Sequence, residues 1–274
     1  MCSMSHAIEL RREGAIAIVT MSNPPTHTMV AAEAAELHDV LDALEADGPP
    51  RVLVLTGGGD DVFVKHYEVG ELVQSSERLQ GSAPPTPQPR AQVPDRGLRG
   101  IMTRFEAMDT ITIAAINGNT MGGGLELALG CDFRLQRAGD YRLGLPETGV
   151  GILPGGGGTQ RLARLLGVAK ALDLILHGEV FGPERALELG VVSRVLPHDN
   201  FMDHVMEFAQ TLAQRAPRAL ANSKRAIREG IELPLSEALA REGQLFGELM
   251  RTEDAVQAMR AALKGEPLPA FKGR

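Results

Sequence analysis

The chain has 274 residues, 43% hydrophobic and 23% charged, which is enough to bury one large core or a core with a small appendage. Its formal net charge of -7 argues against a general nucleic-acid surface, because binding to phosphate backbones relies on clustered Lys and Arg. Two cysteines, Cys2 and Cys131, make no disulfide framework, and no apolar run reaches the roughly 18 residues of a membrane span. The stretch before Gly14 is studded with charge and has no secretory h-region, so the expected setting is the cytoplasm, with neither nucleic acid nor membrane as partner.

Ala7 to Leu10 and Ala15 to Met21 read as two strands of a hairpin around Glu13-Gly14, and Asn23-Pro24-Pro25 ends the second. Val30 to Leu44 carries apolar residues at helical spacing. Val52 to Thr56 is a short apolar run closed by glycines, the pattern of a strand covered on both faces. Residues 74–99 change character, with Pro84, Pro85, Pro87, Pro89 and Pro94 among Ser, Gln and Arg, and read as a mobile surface loop.

Order resumes with a helix over Leu98 to Met108, a strand at Ile111 to Ile116, and a helix from about Leu125. Strands stop near Val195. Beyond it the pattern is helical: Phe201 to Gln214, Arg218 to Glu229, Leu235 to Arg251 and Thr252 to Lys264. The expected division is an α/β body over 1–200 and a helical cap or oligomerisation region over 201–274.

Three glycine clusters follow strand-like runs: Gly57 to Gly59, Gly122 to Gly124 and Gly155 to Gly158. Each serves as a tight turn. A glycine run that enters a helix also exposes N–H groups at a positive dipole end, where an oxygen gaining negative charge can be held. None reads Gly-Lys-Ser/Thr, which disfavours an ATP-binding loop.

The run Ala114-Ala115-Ile116-Asn117-Gly118-Asn119-Thr120-Met121-Gly122-Gly123-Gly124-Leu125-Glu126-Leu127-Ala128 resembles the central signature of the enoyl-CoA hydratase/isomerase (crotonase) superfamily. Leu145-Pro146-Glu147-Thr148-Gly149-Val150-Gly151-Ile152-Leu153-Pro154-Gly155-Gly156-Gly157-Gly158-Thr159-Gln160-Arg161-Leu162 resembles its second hallmark, and the likeness extends over nearly the whole chain. The resemblance implies an α/β fold built as a spiral of ββα turns, with C-terminal helices that assemble trimers or hexamers. It implies an acyl-CoA substrate, coenzyme A being part of that substrate, and neither a separate cofactor nor a metal.

By the same resemblance Glu126 and Glu147 take the two catalytic glutamate positions, and the backbone N–H groups of Tyr67 and Gly123 form an oxyanion hole. His66, Glu68, Gly122, Pro146 and Lys272 fall on substrate-binding positions. The reaction implied is addition of water to a 2-enoyl-CoA. Two converging carboxyls can hold one water and move its protons if their environments separate their protonation states. A double-bond isomerase and a catalytically silent acyl-CoA-binding protein are the alternatives, because one scaffold hosts several chemistries.

The first oxyanion segment departs from the pattern. Family members commonly read Phe-Ser-Ala-Gly-Ala-Asp-Leu where this chain reads Phe63-Val64-Lys65-His66-Tyr67-Glu68-Val69. If the replaced glycine used positive φ, His66 bears strain or the loop has shifted. His27 stands where Asn is usual and is expected to hydrogen-bond a turn. Leu263 takes a position where an aromatic residue often lines the acyl pocket, and the tail lacks the usual run of Lys and Arg.

Overall fold

The computed structural model describes residues 8–83 and 95–274. An antiparallel hairpin, β1 (Ile8–Glu13) and β2 (Ile16–Met21), opens the chain, and α1 (Ala31–Ala46) follows. Then come β3 (Val52–Gly57), α2 (Val69–Leu79), α3 (Leu98–Ala107), β4 (Ile111–Ile116), β5 (Thr120–Met121) and α4 (Gly123–Gly130). The body closes with β6 (Phe133–Arg137), β7 (Leu143–Gly144), a 3-10 turn at Glu147–Val150, α5 (Gly158–Leu166), α6 (Val168–Leu176), β8 (Val180–Phe181), α7 (Pro183–Leu189) and β9 (Arg194–Leu196). Four helices complete the chain: α8 (Phe201–Ala213), α9 (Pro217–Gly230), α10 (Leu235–Leu249) and α11 (Glu253–Lys264).

A six-stranded sheet of order β1-β2-β3-β4-β6-β9 is parallel from β2 onward, and a small sheet of order β5-β7-β8 stands beside it. Two successive turns of the chain lend one strand to the large sheet, a short strand to the small one, and then helix: β4, β5, α4 is one and β6, β7, α5 the next.

The unbroken apolar runs of the central strands follow from burial on both faces. Leu53, Leu55, Ala114 and Ile116 point into a core shared with Leu37 and Leu41 of α1, Ile101 and Phe105 of α3, and Leu125 and Leu129 of α4. Their neighbours Val52, Val54, Ile113 and Ala115 point the other way, onto Phe201, Val205 and Ala209 of α8. Helix α8 is thus part of the body's own packing and not a free arm.

The segment expected to be a loop over 74–99 is partly helical. Residues 74–79 finish α2, residues 98–99 begin α3, and residues 84–94 lie outside the described residues. Helix α2 buries none of its side chains, and after Val69, Leu72 and Val73 its last turns are polar up to Leu79. Its start is fixed by capping: Glu68 accepts the Gly70 N–H at its N-terminus.

Helices α9 and α10 pack on each other, and α9 is latched to the body by a buried amine. Lys224 Nζ donates to the carbonyls of Phe105 at 2.6 Å and Thr110 at 2.9 Å and pairs with Asp132 at 2.8 Å. Apolar side chains remain exposed along α9 to α11, including Ile227, Ile231, Leu239, Phe246 and Leu263. Among the described residues, no helix is long and apolar enough to cross a membrane.

Candidate active site

The site grows from the ends of β3 and β4. Asn117, directly after β4, accepts the Gly57 N–H at 3.0 Å and donates to the carbonyls of Gly57 at 3.2 Å and Gly59 at 2.7 Å. One buried amide therefore ties two strand exits together, which fixes where the following loops must run. A Cβ on the next residue, Gly118, would lie 1.9 Å from the Asp61 backbone, so the Asn-Gly pair is a steric requirement.

After β5 the chain turns at Gly122, whose φ of 50° lies in the left-handed region, and enters the wholly buried helix α4. Gly123 and Gly124 begin that helix, where N–H groups have no carbonyl one turn back to bond. Across from them runs the segment Phe63–Val69. A Cβ on Gly123 would stand 2.9 Å from Tyr67 Cβ and 3.2 Å from Tyr67 N, and one on Gly124 would stand 2.0 Å from the Val64 carbonyl oxygen. The triple glycine lets two backbones meet.

The direction of the Tyr67 N–H follows from its pairing. Met29 and Tyr67 form a parallel bridge in which Met29 N–H donates to His66 O at 2.9 Å and Glu68 N–H donates to Met29 O at 2.8 Å. In a parallel bridge the residue between those two bonds turns its own N–H to the opposite side. The Tyr67 N atom lies 3.2 Å from where a Gly123 Cβ would stand.

His66 does not carry the strain its replacement of glycine threatened. Among the described residues, the non-glycine positions with positive φ are His27 and Asn200. His66 Nδ1–H donates to Tyr67 O at 2.8 Å, and the side chain lies beside Gly122. His27 adopts φ 52°, a conformation tolerated best by Asn, and holds the turn through its backbone: its N–H donates to Asn23 O at 2.7 Å and its carbonyl accepts the Lys65 N–H at 2.8 Å.

Glu126, on the first turn of α4, is 3% exposed. Its Oε1 accepts the Gly158 N–H at 2.7 Å. A Cβ on Gly156 would come within 2.6 Å of Glu126 Oε2, so the glycines of that loop admit the carboxylate against bare backbone. Burial pushes its pKa up, opposed by the amides of Gly158, Gly156 and Gly157 and by the Arg161 charge.

Glu147 begins the 3-10 turn directly after Pro146, and its Oε1 would lie 3.1 Å from a Cβ on Gly122. Its Oε2 is buried without a hydrogen-bond partner. Burial first, and then the charge of Glu126, push the Glu147 carboxyl up to about 7, against its own backbone amide. The two carboxyls sit in one electrostatic neighbourhood but differ in support: one rests on a cradle of N–H groups, the other has an orphaned oxygen.

Of the residues the sequence singles out, the structure gathers Glu126, Glu147, Gly122, Gly123, His66, Tyr67 and Pro146 around one site. Two others are placed differently. Glu68 accepts from Thr28 Oγ1 at 2.8 Å and from Gly70 N–H at 3.1 Å, so its carboxylate caps α2. Lys272 lies exposed in a tail fastened elsewhere, with the N–H groups of Lys272 and Gly273 on Asp254 and the Phe271 carbonyl on Arg51.

Some neighbours were not apparent beforehand. Glu71 accepts both the Tyr67 hydroxyl at 2.8 Å and the Ala31 N–H at 3.0 Å, which ties the phenol to α2 and α1. Arg161 and Arg99 reach the glycine loop behind Glu126. Arg161 was inside the second hallmark, yet its partner Glu106 is 55 positions away, beyond any local signal. A cavity of about 1110 Å³ opens on the far side of that loop, between α5 and α9, and its lining includes neither carboxyl nor Tyr67.

The close approach of the Tyr67 and Gly123 backbones, with the carboxyls of Glu126 and Glu147 beside it, makes this the candidate site of the fold. The sequence model of the enoyl-CoA hydratase/isomerase family matches residues 11–272, and the chain belongs to that family. It is 33% identical to a short-chain-enoyl-CoA hydratase of Clostridium acetobutylicum, covering 97% of both chains, and 33% identical to a carnitinyl-CoA dehydratase of Escherichia coli, covering 99% of this chain and all of that one. An enoyl-CoA hydratase of Geobacillus kaustophilus superposes with a TM-score of 0.87 at 31% identity, covering 98% of this chain and 97% of the other. The fold is that of the crotonase superfamily, as the two signature blocks led one to expect.

Proposed function

We propose that the protein adds water across the α,β double bond of a 2-enoyl-CoA thioester. The observation that carries this reading is the convergence of Glu126 and Glu147 beside the facing backbone segments of Tyr67 and Gly123. Glu126, supported as an anion by the Gly158 N–H, is the general base: it takes a proton from water while the oxygen attacks the β carbon. The electron pair moves onto the thioester oxygen, where the N–H groups of Tyr67 and Gly123 receive it. Glu147, whose carboxyl burial raises to about 7 so that a protonated fraction persists at neutral pH, delivers a proton to the α carbon. Water is consumed, and a 3-hydroxyacyl-CoA is released.

His66, Gly122 and Pro146 line the acyl end of this arrangement in our reading. The relatives' names, a short-chain-enoyl-CoA hydratase and a carnitinyl-CoA dehydratase, speak of adding and of removing water on a CoA ester, two directions of one reaction class. We further propose a homotrimer or a pair of trimers, supported by the exposed apolar faces of α9 to α11. Light scattering should then give a multiple of three times 29.3 kDa.

The deciding experiment incubates a panel of 2-enoyl-CoA esters with the enzyme and reads the product by mass spectrometry. Gain of one water supports hydration. A moved double bond at unchanged mass would assign isomerisation instead. Glu126→Gln and Glu147→Gln should each lower kcat by about 10² or more with folding intact, and wild-type turnover in both would reject the reading.

A further inference from the structure

The Gly155–Gly158 loop that holds Glu126 is gripped from behind by two arginines. Arg161 of α5 uses two of its nitrogens on Glu106 of α3, at 2.6 Å and 3.0 Å, and its third, Nη1, donates to the Gly156 carbonyl at 3.2 Å. Arg99 of α3 donates to the Gly155 carbonyl at 2.8 Å. The peptide group that carries the Gly156 carbonyl also carries the Gly157 N–H, and the one that carries the Gly155 carbonyl carries the Gly156 N–H. The loop lies directly against the Glu126 carboxylate: the Gly158 N–H donates to its Oε1 at 2.7 Å, and a Cβ on Gly156 would stand 2.6 Å from its Oε2. A donor on the oxygen end of a peptide polarises its N–H end and fixes its plane, so the arginines hold and polarise the two peptides that lead into the Gly158 N–H without touching Glu126.

The arrangement is built. A Cβ on Gly157 would fall 2.2 Å from Arg161 Nη1, so the guanidinium has its place only because glycine stands there. The Arg161 side chain is 10% exposed, and its fork geometry on Glu106 leaves one nitrogen aimed at the loop. Glu106 is also approached by Arg228 of α9, at 3.7 Å.

We propose that Arg161, assisted by Arg99, is a positioning residue for Glu126: through the peptide groups of the glycine loop the two arginines hold the carboxylate in place and in its charged form. This rests on the hydratase reading, in which Glu126 is the base. The charged and titratable groups that reach Glu126 or its loop include Glu147 of the 3-10 turn, Arg161 of α5, and Arg99 and Glu106 of α3, the last through Arg161. Of these, Arg161 and Arg99 stabilise the anion through the loop, while Glu147 opposes it when ionised.

The test is the pH dependence of kcat/KM on a 2-enoyl-CoA for wild type, Arg161→Gln, Arg161→Lys and Arg99→Gln. Because the base must be ionised, losing its support moves the acid limb to higher pH. Arg161→Gln should lower kcat by about 10-fold with KM within about threefold, and shift that limb up by about half a pH unit or more. Arg161→Lys should recover part of both, and Arg99→Gln, which leaves the Arg161–Glu106 pair intact, should shift the limb in the same direction by less.

If Arg161→Gln does not fold, the lysine variant and Arg99→Gln carry the test. An unmoved acid limb in both, or a lowered melting temperature with an unchanged pH profile, overturns the proposal. Glu126→Gln in the same assay separates the two ideas. If it is inactive while the limb stays put, the positioning role alone falls. If it retains activity, the hydratase reading falls and takes this one with it.

Discussion

The two backbone segments that meet at the site were composed under opposite constraints. On one side, Gly122 to Gly124 are held to glycine by contacts with backbone: a Cβ on Gly124 would stand 2.0 Å from the Val64 carbonyl oxygen, and Gly122 takes φ 50°. On the other side, His66 and Tyr67 sit where relatives of this family commonly carry glycine and a small residue, in ordinary backbone conformations and with side chains directed to partners of their own. The lesson is that a backbone donor constrains whatever must approach it more than it constrains its own side chain. In this chain the approached face is held to glycine by contact, while the face that presents an N–H carries His and Tyr without strain.

That contrast is broken most severely at Gly124. Carbonyl and helix backbone cannot yield by an ångström, so Gly124→Ala should separate the two segments, costing about 3 kcal/mol or more of stability and about 10² or more in kcat. Urea denaturation and turnover on a 2-enoyl-CoA read both. A Gly124→Ala enzyme with native stability and rate would mean that the segments do not press together as described.

A smaller effect separates the two carboxyls. Glu147 titrates near 7 in the folded protein against about 4.5 when exposed, so between those values the folded state binds more protons and stability falls as pH rises. Below about 4.5 the carboxyl is neutral in both states and the difference vanishes. Glu147→Gln removes the effect, and at pH 8 the variant should resist urea better than wild type by about 1–2 kcal/mol, less than the full shift implies because the group is only half-buried. Near pH 4 the two should coincide. Equal stability at pH 8 would show that the orphaned oxygen finds a partner in solution.

The same asymmetry explains what could be read in advance. Strand cores such as Val52 to Thr56 and the glycine blocks announce themselves because burial on both faces and backbone-to-backbone contact each leave a compositional mark. The placement of Glu126 and Glu147 was legible only through those blocks, since nothing local joins them. Three features were not legible. Glu68 caps a helix whose side chains are all unburied; Glu71 reaches Tyr67 from the next turn and Ala31 from across the fold; and Arg161 meets Glu106 only after α3 and α5 have packed. Polar pairings made by tertiary packing have no period in the sequence.

In the permissive segment, His66→Gly should give no relief, because His66 already occupies a conformation any residue adopts. Glycine there adds chain entropy to the unfolded state and removes the bond to the Tyr67 carbonyl, a loss of about 1 kcal/mol by urea denaturation. A gain in stability would instead reveal strain at this position.

The smallest effect is expected at the Tyr67 hydroxyl. The phenol donates to Glu71 at 2.8 Å, and burial together with that carboxylate pushes its pKa up to about 12, so it remains a protonated donor throughout the working range. Its partner is in α2, and the backbone N of Tyr67, 3.2 Å from where a Gly123 Cβ would stand, is independent of that bond. Tyr67→Phe should therefore keep kcat within about twofold on an unbranched 2-enoyl-CoA, since the oxyanion donor is unchanged. Tyr67→Ala removes bulk beside the same donor and should widen the range of acyl groups accepted while retaining part of the rate. Both are read from kcat/KM across a series of acyl chains. If Tyr67→Phe alone loses about 10², the hydroxyl contacts the reacting acyl group in the transition state, and the contrast between a strict face and a permissive one fails at its central residue.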